Sequence, residues 1–253
     1  MDLPKNDFKH AIRAGRQQIG LWVSLANSYS AEIVAGSGFD WLLLDGEHSP
    51  NAPTTIISQL QAVAPYPVST VVRPAWNDKV LIKRYLDIGT QSFLVPYVQN
   101  VEEAEAAVAA IRFPPRGVRG VAGVTRASRF GRVADYARRA EEELCLLVQI
   151  ETREGLENLD AIARVDGIDG IFIGPADLAA GLGQLGNQQH PEVQSAIQDA
   201  IKRIRGHKKP AGILSTDEAS TRRYMEWGTT FTAVGLDAMI LARESEKLAA
   251  KFK

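Results

Sequence analysis

A repeated pattern constrains this chain most: a short, unbroken apolar run ends on a polar or charged residue, and helical spacing follows at once. Cys145-Leu146-Leu147-Val148 passes without a turn into Gln149-Ile150-Glu151, and a helix-like stretch starts directly after. A run this short with a charged C-terminal end reads as a strand buried on both faces, the kind found in parallel α/β sheets. The pattern returns at 170–177, and further short, mostly apolar runs predict strands over 19–25, 39–45, 68–73, 92–96, 210–215 and 230–235 beside 145–151. Apolar spacing predicts helices over 8–14, 31–35, 51–63, 79–86, 101–111, 156–164, 192–204, 217–227 and 238–252, with Ser30 and either Asn77 or Asp78 as caps. Eight evenly spaced strand-then-helix units without a linker-like break predict an α/β chain closed into a (β/α)8 TIM barrel. Its 253 residues fit that barrel as one domain over 1–253. Residues 112–143 are longer than an ordinary αβ connection and rich in Arg and Gly.

Several function classes fall away. A formal charge of −1 supplies no electrostatic reason to expect nucleic acid or an anionic membrane as partner. Cys145, the one cysteine, excludes an intrachain disulfide and a Cys-based zinc site, and its place in a strand reads as a small buried hydrophobe. The first seven residues lack the apolar core of a signal peptide, and no apolar run approaches the roughly 18 residues of a membrane span. The expectation is a cytoplasmic protein. No G-x-G-x-x-G follows the first strand and no Walker motif is present.

In such a barrel, chemistry sits where strands end and loops begin. Those ends carry Asp45, Glu47 and His48, then Arg73, then Gln149 and Glu151, then Asp177. Glu151 and Asp177 read either as two solvated loop acids or as a close carboxylate pair, which needs a proton or a cation between its members. An oxygen-only pair without Cys or paired His suits a hard divalent ion such as Mg²⁺, Mn²⁺ or Co²⁺, completed by water and substrate oxygens. Gly174-Pro175-Ala176 beside it offers backbone N–H groups for a substrate carboxylate, Pro175 donating none. Arg73 is either a partner for a neighbouring acid or a fork for an oxyanion on a carbonyl oxygen. His48 is either a solvated turn residue or a general base oriented by Asp45, three positions earlier. Gln149 either orients a ligand or water, or is a satisfied polar residue inside the barrel. Every Lys lies on a predicted helix, at a terminus or ahead of a strand, which argues against imine chemistry and leaves metal-assisted enolisation. Arg116, Arg119, Arg126, Arg129 and Arg132 form either a solvated or subunit-contacting surface, or a cover over the site that would favour acidic or phosphorylated substrates.

Five motifs together resemble the HpcH/HpaI aldolase family, in the right order and over essentially the whole chain. They are Asp45-Gly46-Glu47-His48-Ser49-Pro50, Val72-Arg73-Pro74, Gly117-Val118-Arg119-Gly120, Gln149-Ile150-Glu151-Thr152 and Phe172-Ile173-Gly174-Pro175-Ala176-Asp177-Leu178. The resemblance implies a divalent-metal-dependent class II aldolase that adds pyruvate to an aldehyde and, in reverse, cleaves 4-hydroxy-2-oxo acids. It implies Glu151 and Asp177 as metal ligands, Arg73 polarising the pyruvate C2 oxygen, and His48 with Asp45 as the base pair. It further implies Gln149 near pyruvate, and the backbone of Gly174 and Ala176 receiving the carboxylate. A homo-hexamer built as a dimer of trimers is implied too, with the C-terminal helix exchanged between subunits. Two other readings stand beside it. A citrate-lyase-like or malyl-CoA-type lyase would need a CoA-binding segment that is not evident. A non-catalytic oxo-acid-binding barrel would have no use for an intact Asp45 and His48.

Overall fold

The computed structural model describes residues 1–253. Its eight strands are β1 (Gln18–Val23), β2 (Trp41–Asp45), β3 (Ser69–Arg73), β4 (Ser92–Val95), β5 (Cys145–Ile150), β6 (Gly170–Ile173), β7 (Ala211–Leu214) and β8 (Phe231–Leu236). All pair in parallel in sequence order, and β1 pairs with β8 to close the barrel. The (β/α)8 expectation holds.

Helix α1 (Asp7–Arg13) precedes the barrel, and α2 (Ser28–Ala35), α3 (Pro53–Val63), α4 (Lys79–Asp87) and α5 (Val101–Ile111) follow the first four strands. Next come α6 (Tyr136–Arg139), α7 (Arg153–Glu157), α8 (Leu159–Ala163), α9 (Pro175–Gly181), α10 (Pro191–Gly206), α11 (Glu218–Trp227) and α12 (Asp237–Ala250). Helix α2 starts earlier than its apolar spacing indicates because Asn27, not Ser30, caps it by accepting from the amides of Tyr29 and Ser30. Asp78 caps α4 through the amides of Val80 and Leu81. The helix expected over 156–164 is two short ones meeting at Asn158, the first capped by Thr152.

Two apolar layers hold the barrel. Forty-one buried residues fill the space between strands and helices, and a second cluster of 12 fills the interior. The interior is aromatic: Trp22 lies 5.5 Å from Phe172, and Phe8 of α1 plugs the lower end 5.5 Å from Trp41. A glycine makes room for one of these rings, since a Cβ at Gly20 would overlap the Trp41 indole. Cys145 is buried in this inner cluster.

Helix α12 behaves differently from the others. Asp237 is its one buried residue, and Ile240, Leu241, Leu248 and Phe252 at the C-terminal end stand exposed. No helix is long and apolar enough to cross a membrane. In the 112–143 segment, Arg119 is buried between the rings of Phe113 and Tyr136, Arg126 donates to the Ile88 carbonyl, and Arg116 pairs with Glu141.

Candidate active site

Strand register decides which side chains reach the mouth. Successive side chains on a strand alternate between faces. Leu43 and Val71 accordingly lie in the inner cluster, while Leu44 and Val72 lie in the outer one. Carried to the C-terminal ends, the inner rows deliver Trp22, Asp45, Arg73 and Gln149, with Glu151 and Gly174 just past β5 and β6. Trp22, Asp45, Arg73, Gln149 and Gly174 line a cavity of about 350 Å³ together with Asp177, and Glu151 lies buried behind Gln149 and Gly174. A larger cavity, about 500 Å³, lies at the opposite end, lined by Arg13, Asp169, Arg205 and Lys208 and by none of the mouth residues.

Asp45 and Arg73 are direct register partners on β2 and β3. Arg73 Nε donates to Asp45 Oδ1 at 2.8 Å and Nη2 to Oδ2 at 2.7 Å. Its remaining nitrogen, Nη1, lies 2.7 Å from Glu47 Oε2. The guanidinium sits 5.2 Å from the Trp22 ring centroid, and the Trp22 indole donates to Asp45 Oδ2 at 3.3 Å. The hydrogen bonds to Asp45 use two of the guanidinium's five N–H groups, and the Glu47 contact is an ion pair only, so N–H groups remain for a ligand oxygen. Burial pushes the Asp45 carboxyl up, but the Arg73 fork and the Glu47 and His48 amides outweigh it and hold it below the usual carboxylate range.

The expected contact between Asp45 and the His48 ring is not formed. Arg73 claims both Asp45 oxygens, and His48 offers Asp45 only its backbone. The imidazole is 69% exposed on the cavity rim, with Nε2 3.9 Å from Glu47 Oε2. Glu47 is thus the acid nearest His48 and a second partner for Arg73, which its turn position does not reveal.

Glu151 is buried and touches no cation. Its Oε1 accepts from the Tyr97 amide at 2.9 Å, and its Oε2 accepts from Gln149 Nε2. Burial, with the charges of Glu47 and Asp177 adding to it, raises the Glu151 carboxyl to about 7 despite these two hydrogen bonds. Burial raises Glu47 as well. Three carboxylates therefore face a region whose one buried cation is already committed, and the buried Gln149 Oε1 has no partner. Such an oxygen-rich excess of negative charge fits a hard divalent cation, with Glu151 and Asp177 available to hold it. No three His, Cys, Asp or Glu side chains cluster closely enough to form a cage for an ion.

Strand β6 ends at Ile173 rather than at Asp177. Pro175, whose fixed φ suits a first helical position, opens α9 and puts Asp177 in its first turn. The Gly174 amide is not free: it donates to the Ile150 carbonyl at 3.0 Å and continues the ladder with β5. The amides without an intrahelical acceptor at this turn are those of Ala176 and Asp177. Gly174 matters for another reason, since a Cβ there would overlap the Glu151 carboxylate and crowd the Gln149 amide. No residue of 112–143 lines the cavity, so the arginines of that segment do not cover their own chain's mouth.

Fold and mouth together define a (β/α)8-barrel enzyme whose site carries carboxylates and one buried arginine. The HpcH/HpaI aldolase/citrate lyase family model matches residues 18–243, and the chain belongs to this family. It is similar to a pyruvate aldolase of Rhizobium etli, 65% identical over 100% of this chain and 99% of the relative. It also resembles a 4-hydroxy-2-oxo-heptane-1,7-dioate aldolase of Salmonella paratyphi B, 59% identical over 98% and 95% of the two chains. Among solved structures, a family member from Burkholderia cenocepacia superimposes with a TM-score of 0.95 at 36% identity, covering 98% of this chain and 99% of that one.

Proposed function

We propose that this chain is a class II aldolase that adds pyruvate to an aldehyde and, in reverse, cleaves 4-hydroxy-2-oxo acids. The observation that carries this reading is the pairing, in one mouth, of a buried Arg73 with spare N–H groups and an oxygen-rich Glu151 and Asp177 corner. What a divalent cation (Mg²⁺, Mn²⁺ or Co²⁺) held by Glu151 and Asp177 supplies is positive charge that makes a pyruvate C3 proton easier to remove. The chain's own residues do the rest. Arg73 donates to the C2 oxygen as negative charge develops there. Asp45 and Glu47 fix the fork so that it needs no reorientation. The Ala176 and Asp177 amides receive the substrate carboxylate, and Gln149, held against Glu151, orients the bound acid. His48 on the rim moves the proton, with Glu47 rather than Asp45 as its neighbour.

The exposed apolar residues of α12 support exchange of this helix between subunits of a homo-hexamer, a dimer of trimers. The test of the activity is release of pyruvate from a 4-hydroxy-2-oxo acid, followed with a coupled dehydrogenase in chelator-treated protein with and without added Mg²⁺. Release that needs the cation and disappears in Glu151→Gln is expected. Binding without turnover would favour a non-catalytic barrel.

A further inference from the structure

The segment between β4 and α5 departs from regular geometry beside Glu151, and the departure has a use. Strands β4 and β5 pair in register from Ser92 with Cys145 to Val95 with Val148. Pro96 has no N–H to continue the ladder. Tyr97 then adopts φ +57°, a left-handed backbone uncommon for a bulky residue, and Val98 resumes pairing by donating to the Gln149 carbonyl at 3.1 Å. The turn releases one amide from the ladder and aims it at a side chain: Tyr97 N–H donates to Glu151 Oε1 at 2.9 Å.

Two contacts hold the turn. The Tyr97 ring lies against Trp76, centroids 5.6 Å apart and planes 30° apart, so the loop after β3 braces the end of β4. Behind it, Asn158 donates to the Gln99 carbonyl at 2.9 Å. Trp76 is 53% exposed, a large apolar side chain whose position is explained by that stack. A left-handed backbone at a non-glycine residue is strained and persists where its surroundings enforce it.

We infer that Tyr97 is a positioning residue for Glu151, and that Trp76 keeps it in place. With Oε1 held by the Tyr97 amide and Oε2 by Gln149, the carboxylate cannot turn, and it presents one fixed face to the cation. The inference rests on Glu151 being a metal ligand, as proposed above.

The test is Mn²⁺ affinity of the full chain without substrate, read from the free Mn²⁺ signal by electron paramagnetic resonance. Loss of a hydrogen bond orienting a ligand typically weakens metal binding about 10- to 100-fold. Tyr97→Ala and Trp76→Ala should each bind Mn²⁺ at least about tenfold more weakly, whereas Tyr97→Phe, which keeps ring and turn, should match the wild type. Tyr97→Gly, which adopts a left-handed backbone without cost, should lie between Ala and wild type. Circular dichroism identifies any variant that fails to fold, and Trp76→Ala, which leaves the backbone sequence of the turn intact, then decides. Wild-type affinity in both Tyr97→Ala and Trp76→Ala would overturn the positioning role while leaving the metal site standing. A wild type that binds no Mn²⁺ would instead overturn the metal reading, and this inference with it.

Discussion

Replacing Arg73 by Ala separates the two contributions of that residue, to the fold and to the reaction. The guanidinium is the only cation on Asp45 and Glu47, whose side chains are 2% and 10% exposed. Removing it leaves Asp45 with the Trp22 indole and backbone amides, and Glu47 with only the distant His48 ring. Breaking a buried pair at one partner costs about 3–5 kcal/mol, against a typical domain stability of about 5–15, so the variant still folds but is much weaker. The loss depends on pH. In the wild type the folded Asp45 pKa lies below its unfolded value, so its stabilising contribution is present above that value and is lost as pH falls through the folded one. Without Arg73, burial, the largest influence, is opposed only by the backbone amides and the Trp22 indole and raises the carboxyl, so Asp45 then costs stability above the unfolded value. The gap between variant and wild type is therefore widest at neutral pH and narrows as the acids protonate. Urea unfolding at about pH 7.5 and about pH 4.5 measures it. Turnover of the variant should fall on the order of 10²-fold or more if Arg73 faces the developing oxyanion. An equal stability gap at both pH values, together with near-normal turnover, would refute both halves of the reasoning.

Three further outcomes are expected. Glu151→Gln should stabilise the cation-free protein, because a carboxyl raised to about 7 in the folded state loses stability as pH climbs from its ordinary value through 7. The gain in Tm should be small near pH 5 and larger near pH 8, and added Mn²⁺ should raise the Tm of the wild type but not of the variant. His48→Asn should leave stability within about 0.5 kcal/mol, because the ring is 69% exposed, while turnover falls about 10²-fold or more. Equal turnover in variant and wild type would remove His48 from the mechanism. Deleting 240–253 should reduce the assembly measured by light scattering while leaving the circular dichroism of the barrel intact. An unchanged mass would argue against exchange of α12.

The barrel was legible because short, mostly apolar runs recur at even spacing with helical patterns between them, and the strand-end acids, Arg73 and His48 follow from where those runs stop. What stayed hidden depends on contacts between distant positions. Asp45 and His48 are near neighbours in sequence, yet Asp45 is claimed by Arg73, 28 residues away, because parallel register places them side by side. The run Gly170 to Asp177 reads as one strand, although Pro175 is itself a helix-start signal and moves Asp177 onto α9. The Gly174 amide looked free because nothing local shows that the ladder with β5 extends to it. Tyr97 gave no cue beyond the proline before it. The arginines of 112–143 suggested a cover by composition alone, and composition does not reveal that Arg119 lies buried between two rings.

The most direct test of the proposed chemistry is proton NMR of pyruvate in D₂O with chelator-treated protein, before and after Mg²⁺ or Mn²⁺ is added. The account predicts cation-dependent loss of the methyl signal in the wild type, without any aldehyde present, and its slowing in Arg73→Ala. A methyl signal that persists with every cation would contradict enolisation of pyruvate at this site.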